Sequence, residues 1–445
     1  MDSYLPALIF LLLFFLTPIF AYIQLRVAGE RLNQVSIVNI TTVAFFLFSV
    51  LGTFVLFFQL DAYRYNTGVQ DPDLVLVVLF YSAINIVFFL LGVIFIRKVV
   101  GFDVVRFSSS EIRRLSWLQG KVILFIFMFC IVVLLNYLRQ LDKIAIVVAL
   151  TEGANVAKQA RSDMGNSFSG KYHWYKLVMH DLGNLVTFTS FAIWLISKRA
   201  RDALLFLSAF CYSSFVAIMA TEKAPVAWLL TGLLMVYFVV RSNGFIPLKK
   251  LIPFIFFIVG LLVISFIYFM GSGDIGAALW SVFSRAFSGS ISPAYFYLEF
   301  FPEHQEYLLG RTFPNPGGLM PYEPYRYTIE VMNWVFPELV GSGVVGTAPT
   351  VFWGEAYANF GPLGIPIVAF IIGCLVALVS YLVSKLEVNP LTIGFLVWLI
   401  LIFKDLSVSG FSGYFYNVYV ISITLIVIAI LSVRGSIRLR QKRTI

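Results

Sequence analysis

The chain reads as long apolar runs separated by short polar breaks. Eleven segments carry enough consecutive apolar residues to cross a bilayer, at about 4–25, 36–60, 75–96, 117–137, 183–197, 203–221, 225–240, 251–270, 362–384, 391–405 and 415–433. The criterion is physical: a helix needs roughly 20 such residues to span a hydrocarbon core about 30 Å thick. Several segments are short or split, so the count ranges from ten to twelve. The first lacks the flanks of a cleaved signal peptide and reads as a retained helix. The expected fold is an all-α integral membrane protein, a single polytopic domain over residues 1–445. Two long connecting segments, 138–182 and 271–361, are expected on the outer side, the second with amphipathic helices. Loops of that length usually carry structure or function of their own.

Composition agrees with this pattern. Of the 445 residues, 60% are hydrophobic and 12% charged, with a mean hydropathy of +0.90; an ordinary soluble domain carries about 25% charged residues. A cytosolic enzyme, a nucleic-acid-binding module and a secreted disulfide scaffold are excluded; the three cysteines, Cys130, Cys211 and Cys374, all fall inside apolar segments. The net charge of +9 reflects topology. Alternate loops collect Arg26 and Arg31, Arg97 to Lys121, Lys198 to Arg201, Arg241 to Lys250, Lys385, and Arg434 to Arg443. Those loops hold 20 of the 32 basic and 5 of the 23 acidic residues, which leaves 12 and 18 for the other side. Net charges of +15 and −6 place the first set in the cytoplasm, because positive loops stay on that side. The N-terminus is then outside and the C-terminus inside.

Few residues carry candidate chemistry. Two stretches fit G-x-G-x-x-G, Gly271–Gly276 and Gly341–Gly346, but neither follows a strand in a βαβ unit, so neither reads as a dinucleotide site. The second leads toward a helix start near Thr347–Thr350, where free N–H groups suit a phosphate, or it is a plain flexible lead-in. Asp71-Pro72-Asp73 has the spacing of a cation-holding carboxylate pair and also of an ordinary turn. His173, Lys176 and His180 share one helical stripe among aromatics, as an interfacial helix or a site wall would. Arg139, Arg161, Arg285, Arg311 and Arg326 lie in or beside the two long segments. Glu222-Lys223-Ala224-Pro225 makes a tight turn that holds Lys223 at the membrane interface, as an anchor or a ligand group. Arginine presents a fork matched to phosphate oxygens, and repeated arginines among aromatics point to a lipid that bears a diphosphate. Glu355, between aromatics just above an apolar helix, suits either a general base or a structural partner for an arginine.

Gly354-Glu355-Ala356-Tyr357-Ala358-Asn359-Phe360-Gly361 with Gly364, Gly310-Arg311-Thr312 in a proline-rich loop, and the Lys223-Ala224-Pro225 turn together resemble the oligosaccharide repeat-unit polymerases, the O-antigen polymerase family of bacterial envelope glycosyltransferases. The resemblance implies a GT-C-like enzyme of the bacterial inner membrane that needs no nucleotide sugar, no metal and no other cofactor. Its substrates would be undecaprenyl-diphosphate-linked glycans, one as donor and one as acceptor, with membrane lipids and a chain-length-regulating co-polymerase as further partners and no nucleic acid. On this reading Arg161, Lys223, Arg285, Arg311 and Arg326 bind diphosphate. Glu355 is the base, with His304 or His180 in reserve, and Tyr322, Tyr325, Trp353 and Tyr357 stack on sugars. An O-antigen ligase, for which His304 would be the catalytic histidine, and a glycan-lipid flippase or other transporter are the alternatives.

Overall fold

The computed structural model describes residues 5–101, 112–165, 168, 171–270, 274–340 and 346–433. The basic residues Arg106 and 434–443, and the glycine-rich stretches 271–273 and 341–345, lie outside them. Among the described residues every regular element is helical, and ten helices are long and apolar enough to cross a membrane. They are α1 (Leu5–Val27), α2 (Ile37–Phe57), α4 (Pro72–Val100), α5 (Trp117–Arg139), α9 (Ala200–Ile218), α10 (Ala224–Arg241), α11 (Leu248–Tyr268), α15 (Phe352–Ser384), α16 (Pro390–Ser407) and α17 (Ser412–Ser432). The shorter elements are α3 (Ala62–Asn66), α6 (Ala145–Thr151), α7 (Ala154–Met164), α8 (172–197), α12 (Ile275–Ala286), α13 (Ser288–Phe300) and α14 (Tyr327–Val335).

Two expected boundaries move. The segment 183–197 is helical but is not among the ten. Gly183–Ser197 alone covers 15 residues, roughly 22 Å, and continues an earlier π-helical turn, Leu177–Leu182, that carries His180 and Asp181. The ninth span begins at Phe352, ten residues before the expected 362. Gly361 and Pro362 look like a helix start, but Gly361, with φ +66°, kinks one continuous helix. Phe352–Asn359 is therefore buried helix rather than loop.

The tightest packing joins α4 to α15. A side chain at Gly92 would meet the Phe370 backbone, and one at Gly373 would meet the Phe89 backbone. Small residues let membrane helices approach closely where lipid supplies no hydrophobic drive. Helix α16 is the most enclosed; every residue from Pro390 to Ile400 is buried, against α8, α2 and α10. By contrast α11 is apolar all round, and Phe256 and Tyr268 are 73% and 78% exposed. An apolar helix that protein leaves uncovered is one that faces lipid.

Contacts sort the connections into two ends. At one, Val35 N–H donates to Gly244 O (2.8 Å), Ile246 N–H to Asn33 O (2.7 Å) and Arg113 N–H to Val388 O (2.9 Å). Arg97, counted above among the orientation charges, is buried here and paired with Glu30 and the Ala28 carbonyl. At the other, the cap end, 58–71, 140–165, 171–176, 219–224, 274–340, 346–351 and 404–415 meet, linked by bonds such as Ile146 N–H to Met219 O (3.0 Å) and Thr350 Oγ1 to Ser290 O (3.2 Å).

Candidate functional site

The cap end gathers cations from four parts of the chain. The turn before α10 is set by Thr221, at φ +57°, and by Pro225 in the first helical turn. Lys223 is thereby fixed immediately before the span. Its Nζ is buried, has no hydrogen-bond partner among the described residues, and stands 4.4 Å from the centroid of Phe266. Arg285, on α12, places its guanidinium carbon 5.6 Å from the same ring. Arg161, on α7, is held beside them by Glu222 at 3.1 Å. Burial first, then Arg285 and Arg161, push the Lys223 ammonium down to about 8. The structure thus unites three of the five predicted diphosphate ligands.

It adds a fourth cation, Arg64, that the sequence reading missed. Asp61 caps the short helix α3, and its carboxylate takes the Arg64 backbone N–H (3.3 Å) and the hydroxyls of Ser284 and Ser288 (2.6 Å each). Burial alone would raise this carboxyl; the two serines, the N–H and the Arg64 charge outweigh it and hold the group below the usual carboxylate range. Burial draws the Arg64 guanidinium down against the pull of Asp61, and Arg285 adds to the effect. Arg64 lies along Gly289, where a side chain would press on its guanidinium. It lines a cavity of about 300 Å³ with Gly289, Ser290, Phe296, Met332, Thr347 and Val408. The sequence does hold a faint signal, an Asp-x-x-Arg capping pattern between tyrosines, but nothing in it ties residue 64 to 285.

Arg311 and Arg326 form a separate, exposed patch. Arg311 stacks its guanidinium on Tyr325 (5.7 Å) and its carbonyl accepts the Tyr325 N–H (2.8 Å). Tyr322 donates to Phe313 O at 3.3 Å, which closes the loop on itself. No contact among the described residues joins this patch to Lys223. Beside it an apolar groove of about 470 Å³ runs between Phe313, Phe411, Phe415 and the Phe360–Ile371 face of α15.

Three predicted roles meet a steric objection. Glu355 is 1% exposed. Its Oε2 accepts the Ser412 N–H at 3.0 Å, and the hydroxyls of Thr312, Ser412 and Tyr327 crowd the carboxyl. One turn on, Asn359 bonds Thr312 (2.8 Å) and the Gly310 N–H (2.8 Å). These residues clamp the start of α15 to two loops, and Glu355 lines neither cavity. Of its two sequence readings the structural one fits, although the partners are hydroxyls and amides rather than an arginine. Trp353 is fully buried with its Nε1 donating to Ser82 (3.2 Å). Tyr357 is buried and donates to Phe301 O (3.1 Å). Rings enclosed in this way present no face to a sugar.

The remaining predicted residues are dispersed. His304 is exposed and packs against Trp334 with tilted rings, 4.9 Å between centroids. His180 lies half-buried in the π-helical turn of α8, and His173 is exposed. Asp71 caps α4, its carboxylate accepting the Asp73 N–H at 2.9 Å, which is the turn reading of that pair. Thr347 lines the Arg64 cavity, while the glycines before Gly346 lie outside the described residues. A further buried cation, Lys404 at the end of α16, stands over Trp228 (3.7 Å) and is paired with Asp405.

Fold and surface define a multi-pass, all-helical membrane protein with a cation-lined cap. Comparison with protein-family models, with curated proteins and with solved structures gives no match to this chain.

Proposed function

We propose that the protein is a membrane glycosyltransferase that polymerises undecaprenyl-diphosphate-linked repeat units into a surface polysaccharide, with the cap end outside a bacterial inner membrane. The observation that carries this reading is the Lys223 ammonium, buried beside Arg161 and Arg285 without a hydrogen-bonding counter-anion. Gathering like charges at a membrane interface is costly, and a dianionic head group would relieve that cost. The reaction needs the same thing. An acceptor hydroxyl attacks the anomeric carbon, the bond to the lipid diphosphate breaks, and fixed positive charge stabilises the leaving oxygen as it becomes negative. Polymerisation also takes two lipid-linked substrates. Arg311 above the apolar groove offers a second head-group position, with the groove suited to an isoprenoid tail.

The test is complementation of cells that lack the native enzyme, read as polysaccharide banding on a gel. The intact gene should restore a ladder, and the Lys223→Ala, Arg285→Ala double variant should leave single repeat units on the lipid core. A bare core in the empty strain would instead indicate a ligase, and lipid-linked units held on the cytoplasmic leaflet a flippase.

A further inference from the structure

A lipid diphosphate has two ends, and the cap offers them two different settings. Lys223 stands against Phe266 of α11, the helix that leaves Phe256 and Tyr268 exposed. Arg285 shares that ring at 5.6 Å and also repels Arg64. Arg64 itself lines the cavity of about 300 Å³. Asp61 fixes it there: the carboxylate takes the Arg64 N–H (3.3 Å) and the hydroxyls of Ser284 and Ser288 (2.6 Å each), the residues that flank Arg285. Gly289 completes the seat, because a Cβ at that position would stand 2.6 Å from a guanidinium nitrogen of Arg64.

The Arg64 fork is uncommitted. Its Nε is buried with no hydrogen-bond partner among the described residues. Among those residues Asp61 is the carboxylate that acts on Arg64, and Glu222 is the one that holds Arg161. Pairing Arg64 and Arg285 against Asp61, and Lys223 and Arg161 against Glu222, leaves each half with one net positive charge. Each phosphate of a diphosphate diester carries one negative charge, so the two halves match it. The cavity walls add Phe296 and Met332 to the hydroxyls of Thr67, Ser290 and Thr347. Thr67 donates to Arg64 O (3.0 Å) and Ser290 to Ala286 O (2.8 Å), so their oxygens keep lone pairs for the hydroxyls of a ligand. Apolar walls with a few polar groups, at the small end of the roughly 300–1,000 Å³ typical of ligand pockets, suit a sugar ring. We infer that the donor binds with a fixed polarity: the lipid-side phosphate at Lys223 and Arg161, the sugar-side phosphate between Arg285 and Arg64, and the first sugar in the Arg64 cavity. The inference rests on the polymerase reading above and gives that site a direction.

The experiment is equilibrium binding to the full chain in lipid nanodiscs. Its probes are an isoprenoid methyl phosphodiester, which keeps only the lipid-side phosphate, an isoprenoid methyl diphosphate diester, which adds the second, and a sugar-bearing lipid diphosphate. Arg64→Met should weaken both diphosphates by about 10- to 100-fold, as expected for a charge-assisted hydrogen bond, and leave the phosphodiester within about threefold. Gly289→Ala keeps the charge but pushes the guanidinium from its seat, and should weaken the same two probes. Retained phosphodiester binding shows that either variant has folded. Lys223→Met should weaken all the probes alike. Thr347→Trp, which fills the cavity from an exposed position, should weaken only the sugar-bearing lipid. Equal losses on every probe in both Arg64→Met and Gly289→Ala, or no loss on any, would overturn the inference. So would an Arg64 dependence confined to the sugar-bearing lipid, or unchanged affinity in Thr347→Trp. Each of these leaves the polymerase reading intact as long as the wild type binds the sugar-bearing lipid; wild-type protein that does not bind it would overturn both.

Discussion

Lys223 gives a direct handle on the cationic cluster. An ordinary lysine has a pKa near 10.5, and here burial with Arg285 and Arg161 brings it to about 8. An ammonium facing a dianion regains its proton affinity, so binding takes up a proton wherever the free protein has lost one. A diphosphate diester holds constant charge across pH 7–9, which leaves the lysine as the titrating partner. About nine-tenths of free Lys223 is protonated at pH 7 and about one-tenth at pH 9, so affinity should fall about tenfold over that range. Lys223→Arg should flatten the dependence, because a guanidinium stays charged throughout. Lys223→Met should bind about 10- to 100-fold more weakly at pH 7, as expected for one charge-assisted hydrogen bond, and should show the same flat profile. The assay is equilibrium binding of a lipid diphosphate diester to protein in nanodiscs at three pH values and constant ionic strength. Equal wild-type affinity at pH 7 and pH 9 would refute the reasoning, as would an undiminished decline in the methionine variant.

Three further outcomes follow from packing. Gly373→Ala should lower thermal stability by about 1–3 kcal/mol, because the added carbon meets the Phe89 backbone, which must shift; an unchanged melting temperature would contradict the close α4–α15 contact. Glu355→Ala should cost about 1–3 kcal/mol by leaving the Ser412 N–H without its acceptor, while the folded fraction binds the lipid diphosphate with unchanged affinity. Arg97→Met should cost about 3–5 kcal/mol because Glu30 would remain buried and unpaired, and Glu30→Met on the same chain should restore most of the loss in a denaturation series.

The bilayer makes the spans legible, since it demands a long apolar run wherever a helix crosses. Alternating loop charge sorted the connections into two groups, and the contacts at the two ends of the bundle join the same groups. What stayed hidden depends on contacts between distant residues. Arg64 gains its meaning from Ser284, Ser288 and Arg285, more than 200 positions away. Glu355 has a sequence setting that suits an exposed base, and only the fold shows Thr312, Tyr327 and Ser412 closing over it. The early start of α15 was masked by the Gly361-Pro362 pair, which kinks a helix without ending it.

Helix α11 has a consequence for how such a site would respond to its surroundings. It carries Phe266, the ring under both Lys223 and Arg285, yet only 11% of its apolar stretch is buried. Its protein contact is mainly with α12, through Val263, Phe266 and Ala278. A helix held chiefly by lipid tilts to match the hydrocarbon thickness around it. That tilt would move the ring and reset the gap between the two cations, so the membrane itself becomes part of the site's geometry. Affinity for a lipid diphosphate should therefore differ between nanodiscs of short-chain and long-chain lipid, and a variant that pins α11 to α12 should lose the difference.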